Sequence, residues 1–235
     1  MRARARRPLR LGPGRREPLG GAARRLRRPR VAVPPRPAGG LGRRRHRPDQ
    51  GAPVTVTIRP VVPAEDAALL HAWVSAPRAA FWGMADHAVE AVAHVYTYIA
   101  EQPHLAAYLL VLDDHPVGLL QTYDPAVDEI GEWYERRPGD VGVHLLLADD
   151  HHRAGRTPEV LAAGMDFVAH LPGCRRIVFE PDARNIASVG LMERLGAERG
   201  PLVDLRTSIS EKPAQFFFLD RERALDLARG LVHEV

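Results

Sequence analysis

The chain is 235 residues long, 45% hydrophobic and formally +4. That allows one domain with a sizeable core, and its apolar runs are too short for a membrane-spanning helix. The charge is uneven: residues 1–50 hold 17 Arg against Glu17 and Asp49, and the rest holds 16 basic against 27 acidic side chains. The lone Cys174 excludes an internal disulfide, reads as packing, and fits a reducing, cytoplasmic setting.

Residues 1–52 read as a disordered arm. They are rich in Arg, Pro and Gly and contain no aromatic residue, so they bury too little surface to offset ordering entropy. No apolar central stretch marks a secretory signal, and the lack of Ser with abundant Pro argues against a transit peptide. An Arg-rich arm is one form of nucleic-acid contact. Here, however, Lys212 is the only lysine in the chain, so the Arg bias is chain-wide and nucleic acid is not an expected partner. A mis-assigned start is a further reading of this segment.

A globular domain is expected over 53–235. Val54–Arg59 is β-branched and predicts a strand. Pro63 opens a helix with acids in its first turn, which Pro77 stops. Asp86 is expected to cap a second helix carrying Val89, Val92, Tyr96 and Ile99 at helical spacing. Strands follow at 106–112 and 116–123, joined by Asp113-Asp114-His115 as a hairpin. The pattern then predicts a strand at 141–147, a helix at 158–170, a strand at 176–180 and a helix at 185–195. Strands near 200–207 and 212–219 and a helix at 221–233 close the chain. A strand–helix–strand crossover within a mostly antiparallel set implies an α/β (α+β) mixed sheet with helices on both faces.

Along 141–147, side chains alternate. Val141, Val143, Leu145 and Leu147 share one apolar face, while Gly142, His144 and Leu146 share the other. Gly142 leaves space beside His144, as a ligand cleft would. A core histidine satisfied by a backbone carbonyl is the alternative reading. Asp182, after the next strand, reads equally as a chemical group or as a helix cap. Asp149, Asp150, His151 and His152 read as a solvated turn, since adjacent histidines make poor joint ligands and no third-ligand spacing appears. No metal is expected. The chain has no P-loop and no GxGxxG, so nucleotide hydrolysis and dinucleotide redox chemistry lack a motif.

Four separated segments carry a resemblance: Phe81-Trp82-Gly83-Met84, Gly139–Leu147, Glu180-Pro181-Asp182 with Arg184-Asn185, and Lys212–Phe218. Over roughly 57–221 the chain resembles the siderophore-biosynthesis N-acyltransferases of the GNAT superfamily. These include aerobactin-type N6-hydroxylysine acetyltransferases and mycobactin-type lysine N-acyltransferases. The resemblance implies the GNAT fold. It matches His144 and Asp182, 38 residues apart, to the residues implicated in catalysis: His144 as proton acceptor or shuttle, Asp182 as the group that binds or orients the substrate nitrogen.

The resemblance also implies a pyrophosphate cradle for coenzyme A at the start of the helix after the catalytic strand. The matching residues are Arg153, Ala154, Gly155, Arg156 and Thr157, with Arg153 and Arg156 as added charge. His152 and Thr157 depart from the fold's usual pattern, and Gly155 keeps it. Trp82 is expected on the amine-substrate side, with Met84 and Trp133 as further channel walls.

The implied reaction is acylation of a side-chain amine of lysine, ornithine or a diamine, hydroxylated or not, in siderophore biosynthesis. Acetyl-CoA, a longer acyl-CoA or an acyl carrier protein is the donor, and a siderophore synthetase is a possible partner. One alternative is an aminoglycoside 6′-N-acetyltransferase with Glu129, Glu132 and Glu135 forming an acidic cleft. The other is a non-catalytic binding module with a basic nucleic-acid-binding arm.

Overall fold

The computed structural model describes residues 55–233, and the expected disordered arm, 1–52, lies outside the described residues. In chain order the elements are β1 (Val56–Pro60), α1 (Pro63–Val74), α2 (Val89–Glu101), β2 (Leu105–Leu112), β3 (His115–Tyr123), β4 (Asp140–Leu147), α3 (Thr157–Ala169), β5 (Arg176–Phe179), α4 (Ile186–Arg194), β6 (Glu198–Arg206), β7 (Glu211–Asp220) and α5 (Arg221–His233). Short 3₁₀ turns at Pro77–Trp82, Glu129–Glu132 and His151–Arg153 link them.

Local chemistry explains most boundaries. Pro63 occupies the first turn of α1, where its missing N–H costs nothing. Asp66 in the same turn accepts the Val62 N–H at 2.8 Å and pairs with Arg59 at 2.7 Å. The β2–β3 hairpin turns at Asp113 and Asp114, both at positive φ, a conformation that aspartate tolerates and tight hairpins require. One expectation fails. Asp86 does not cap α2: the cap position is Ala88, with no side-chain cap hydrogen bond. Asp86 sits two residues upstream of it, and burial of Val92 and Tyr96 stabilises the helix instead.

The seven strands form one mixed sheet in the order β1-β2-β3-β4-β5-β7-β6. Every pairing is antiparallel except β4 with β5, which is parallel. That parallel pairing is short: Asp140 faces Arg176, Val141 faces Ile177, Gly142 faces Val178, and the ladder then ends. Beyond Gly142 and Val178 the two central strands part.

Helices cover both faces, as the crossover pattern predicts. Val143, Ile177, Phe179, Phe217 and Leu219 pack against residues of α3, α4 and α5. On the opposite face Leu109, Leu119 and Leu146 pack against Leu70 and Val74 of α1 and Val92 and Tyr96 of α2. A third cluster on that second face joins Val178, Ala214 and Phe216 to Trp133 and Tyr134. Between these two clusters the sheet face is polar. It carries Gln121 and Tyr123 of β3, opposite His144 and Gly142 of β4. The candidate site lies in this interruption.

The root of the parting strands is clamped by Asp140 and Arg176, both buried. Arg176 donates twice to Asp140 at 2.8 Å, and the Tyr134 hydroxyl donates to the same carboxylate at 2.9 Å. The guanidinium also stands 4.3 Å from the centroid of the Phe218 ring. Bidentate geometry and the added donor let this pair bear its desolvation cost.

Candidate active site

His144 lies two residues past the last parallel pair of β4, and Glu180 two residues past its partner on β5. Side chains repeat every second residue, so both project from one face into the parting. His144 Nε2 is 2.5 Å from Glu180 Oε1. The Tyr123 hydroxyl donates to Glu180 Oε2 at 2.8 Å, and the Lys212 ammonium is 3.4 Å from Oε1. The Glu180 side chain has no solvent exposure, whereas that of His144 is 35% exposed. One end of the imidazole is thus anchored in the protein while the ring stays accessible.

The electrostatics follow from this packing. Burial pushes the Glu180 carboxyl upward, but the adjacent His144 charge, its hydrogen bond, Lys212 and the Tyr123 hydroxyl outweigh that and hold it at about 2. Glu180 is therefore an anion throughout the neutral range. Burial, followed by the Glu180 charge, raises the Tyr123 hydroxyl well above its ordinary value, so it remains a donor. An ionised Glu180 needs a donor from the imidazole. The neutral ring then carries its proton on Nε2 and leaves Nδ1 as the base. Nδ1 has no hydrogen-bond partner among the described residues.

The space expected beside Gly142 is occupied. A β-carbon there would fall within the ring of Tyr123, its cross-strand neighbour. Gly142 therefore makes room for Tyr123, which supports the imidazole at a centroid distance of 5.2 Å. Trp82 stands edge-on to the same imidazole at 6.3 Å. Met84 is buried in the α1–α2 core, and Trp133 packs with the third cluster, so both read as packing residues.

Asp182 lies on the continuation of β5, bridged to Ala214 and buried. The carboxylate that meets the imidazole is that of Glu180. Asp182 instead accepts from the Arg184 backbone N–H at 2.9 Å and from the Arg184 side chain at 2.9 and 2.6 Å. Arg184 is the main reason the Asp182 carboxyl titrates below its ordinary value. The helix-cap alternative for Asp182 fails, because Asn185 caps α4 by accepting the Ser188 N–H. Cys174 is buried, and burial raises its thiol, which is unfavourable for a nucleophile.

Past β4 the chain forms the loop that leads into α3. A cleft of about 500 Å³ opens there, lined by Asp149, Asp150, His151, Arg153, Ala154, Gly155 and Thr157. His144 lies outside this lining. Gly155 has φ +76, and a β-carbon on it would meet nothing within 4 Å. Pro158 stands in the first turn of α3, and no side chain caps the helix, so its first N–H groups face the loop unclaimed by side chains. The Ala154 N–H is already donated to the His151 carbonyl at 3.0 Å, so an anion here would meet Gly155, an exposed residue, and the uncapped helix N-terminus.

The two expected arginines already have partners in the loop. Arg153 folds back, donating to the Ala148 carbonyl at 3.1 and 2.8 Å and to the Thr157 hydroxyl at 2.5 Å. Arg156 is paired with Glu159 at 2.8 Å. Both guanidinium groups are engaged within the loop. Nearby, Asp150, His151 and His152 bring possible ligand atoms within 4.8 Å of one another. There Asp150 and His152 are already hydrogen-bonded at 2.7 Å, and the His152 ring stacks on that of His115 at 3.6 Å.

Sequence reasoning missed Glu180, Tyr123 and Lys212 as members of one cluster. A signal existed for Glu180: once Gly142 pairs with Val178, an equal step along each parallel strand sets residue 180 beside 144. Tyr123 and Lys212 come from strands whose register the sequence alone does not give.

Comparison with known proteins agrees with this architecture. A profile of the acetyltransferase (GNAT) domain matches residues 62–205. The chain is 28% identical over 155 residues to the N(6)-hydroxylysine O-acetyltransferase of Escherichia coli, covering 65% of this chain and 48% of that protein. It is 39% identical over 83 residues to the lysine N-acyltransferase MbtK of Mycobacterium tuberculosis, covering 34% of this chain and 40% of that protein. These matches span about half the length of the curated relatives, or less. Among solved structures, the aminoglycoside acetyltransferase AAC(6′)-Ib in complex with ribostamycin and coenzyme A aligns with a TM-score of 0.61. That alignment has 23% identity and covers 72% of this chain and 95% of the other. With the profile spanning more than half of the chain and the sheet parting between its two central strands, this protein belongs to the acetyltransferase (GNAT) domain family.

Proposed function

We propose that this protein transfers an acyl group from acetyl-CoA, or a longer acyl thioester, to the side-chain nitrogen of lysine, ornithine or a related diamine, hydroxylated or not, in siderophore assembly. The observation that carries the reading is the His144–Glu180 pair at the parting of β4 and β5, on the strand that leads into the Gly155 loop. The named activities of the two curated relatives support the substrate class.

In this reading the thioester lies in the parting, with its pyrophosphate on the backbone of Gly155 and the start of α3. The substrate nitrogen attacks the thioester carbonyl carbon, the carbon–sulfur bond breaks, and the thiolate of coenzyme A departs. His144 Nδ1 takes the proton lost by nitrogen and returns it to the sulfur. Glu180 fixes the tautomer and stabilises the imidazolium that forms. A hydroxylated amine is a good nucleophile here because it is largely unprotonated at neutral pH. Asp182 contributes by holding Arg184, whose exposed guanidinium is available to an anionic group of the substrate.

This charge pattern favours an amino-acid substrate over an aminoglycoside. The acids near the pair, Glu180 and Asp182, are buried and matched to Lys212 and Arg184. Glu129, one of the acids proposed for a polycation cleft, accepts the Ser208 N–H at 2.6 Å.

The reading is tested by thiol release from acetyl-CoA with N6-hydroxylysine, N5-hydroxyornithine, lysine, N-hydroxyputrescine and kanamycin in parallel. Turnover greatest with a hydroxylated amino acid supports it. Turnover confined to kanamycin would move the assignment to the aminoglycoside alternative.

A further inference from the structure

Glu180 Oε1 faces two cationic groups. His144 Nε2 is 2.5 Å away, and the Lys212 ammonium reaches the same oxygen at 3.4 Å. The second oxygen is taken by the Tyr123 hydroxyl at 2.8 Å. The carboxylate has no exposure, while the Lys212 side chain retains 20%. Lys212 is also the only lysine among 33 basic side chains. A compact ammonium suits a single buried oxygen.

We propose that Lys212 is a positioning residue for the acyl transfer: it is the standing counter-charge of Glu180, which frees His144 to rest as the unprotonated base. The proposal rests on the reading of His144 as proton acceptor. An anion without solvent requires a cation beside it. Were His144 the only one, giving up its proton would leave the buried carboxylate without a counter-charge. With Lys212 in place Glu180 is neutralised at every stage, and the charge on His144 can change as the proton moves.

The surrounding groups allow this division of labour. Around His144 stand Tyr123 from β3, Trp82 from the 3₁₀ turn after α1, and Glu180 from the end of β5. Lys212 also acts on Asp182, but Arg184 already pairs with that carboxylate. Lys212 is therefore left to serve Glu180.

The test is the pH dependence of kcat/KM for acyl transfer in the full chain, for the parent, Lys212→Met, Lys212→Arg and His144→Gln, with thermal unfolding of each. Lys212→Met keeps the stem and removes the charge. Its acidic limb is expected to move up by about 1 pH unit, a loss that approaches tenfold only on the acid side of the parent's limb and is regained in alkali. Lys212→Arg keeps the charge, and its limb is expected to stay near the parent's. NMR titration of labelled imidazole, with His144→Gln identifying the resonance, should show the same displacement without turnover. Profiles that superimpose, or a uniform loss at every pH with an unmoved ring titration, would overturn the role of Lys212. An acidic limb that survives in His144→Gln overturns the proton-acceptor reading itself. A limb that His144→Gln abolishes and Lys212→Met leaves in place overturns only the Lys212 proposal.

Discussion

Gly142 stands directly across the β3–β4 ladder from Tyr123, and the Tyr123 ring occupies the volume that a β-carbon at 142 would need. That ring carries the hydroxyl that holds Glu180, which in turn holds His144. A glycine in a central strand, otherwise a weak choice, thus sets the geometry of the site by being small.

Gly142→Ala is expected to push the Tyr123 ring aside and break its bond to Glu180. Overpacking of this kind costs about 1–3 kcal/mol, readable as a lowered denaturant midpoint. Activity should fall with it. A second substitution, Tyr123→Leu, should recover stability but not activity, because it relieves the clash without restoring the hydroxyl. Equal recovery of both would separate Tyr123 from the chemistry.

Acid should expose the Glu180 network. Its carboxyl titrates at about 2 in the folded chain against an ordinary 4.5. A depressed folded value means that the stabilisation is complete above about pH 4.5 and drains away as the pH falls toward 2. The difference corresponds to about 3 kcal/mol. Unfolding measured from pH 5 to pH 2 should show a steeper loss in the parent than in Glu180→Gln, which has no proton to take up. The same variant should lose about 10²-fold in kcat/KM, since the amide does not stabilise an imidazolium. Parallel acid profiles would mean that Glu180 carries no such charge.

Strands and helices were legible because periodicity and punctuation agree along most of the chain. Pro63 and the Asp113-Asp114 turn marked boundaries by local chemistry alone. The alternation Val141–Leu147 assigned His144 to the face opposite the α3–α5 core, and the structure keeps it there. Two readings fail because each concerns a contact rather than a local preference. Asp86 was given a cap that backbone context hands to Ala88. The room beside Gly142 was credited to a ligand when a residue of β3 fills it. Arg153 and Arg156, matched to a phosphate cradle by resemblance, have partners among the carbonyl, hydroxyl and carboxylate groups of their own loop that no sequence pattern announces. The Glu180 cluster joins residues from β3, β4 and β7 and the end of β5, so only the pairing of the sheet reveals it.

The Gly155 loop makes a separable prediction. The left-handed backbone at φ +76 costs an alanine about 1–2 kcal/mol, although nothing blocks its methyl group. Gly155→Ala should therefore shift the loop rather than the fold. The expected result is KM for acetyl-CoA raised about tenfold with kcat little changed, as for loss of uniform binding. A fall in kcat at unchanged KM would place the loop in the chemical step instead.

The account depends most on His144 as the proton acceptor, and His144→Gln tests it most directly. Glutamine keeps a donor toward Glu180 but supplies no base. Thiol release from acetyl-CoA with the best amine of the panel should fall by about 10²–10⁴-fold, with the unfolding midpoint close to that of the parent. Parental turnover in a folded His144→Gln protein would contradict the assignment and return the imidazole to the role of a packed core residue.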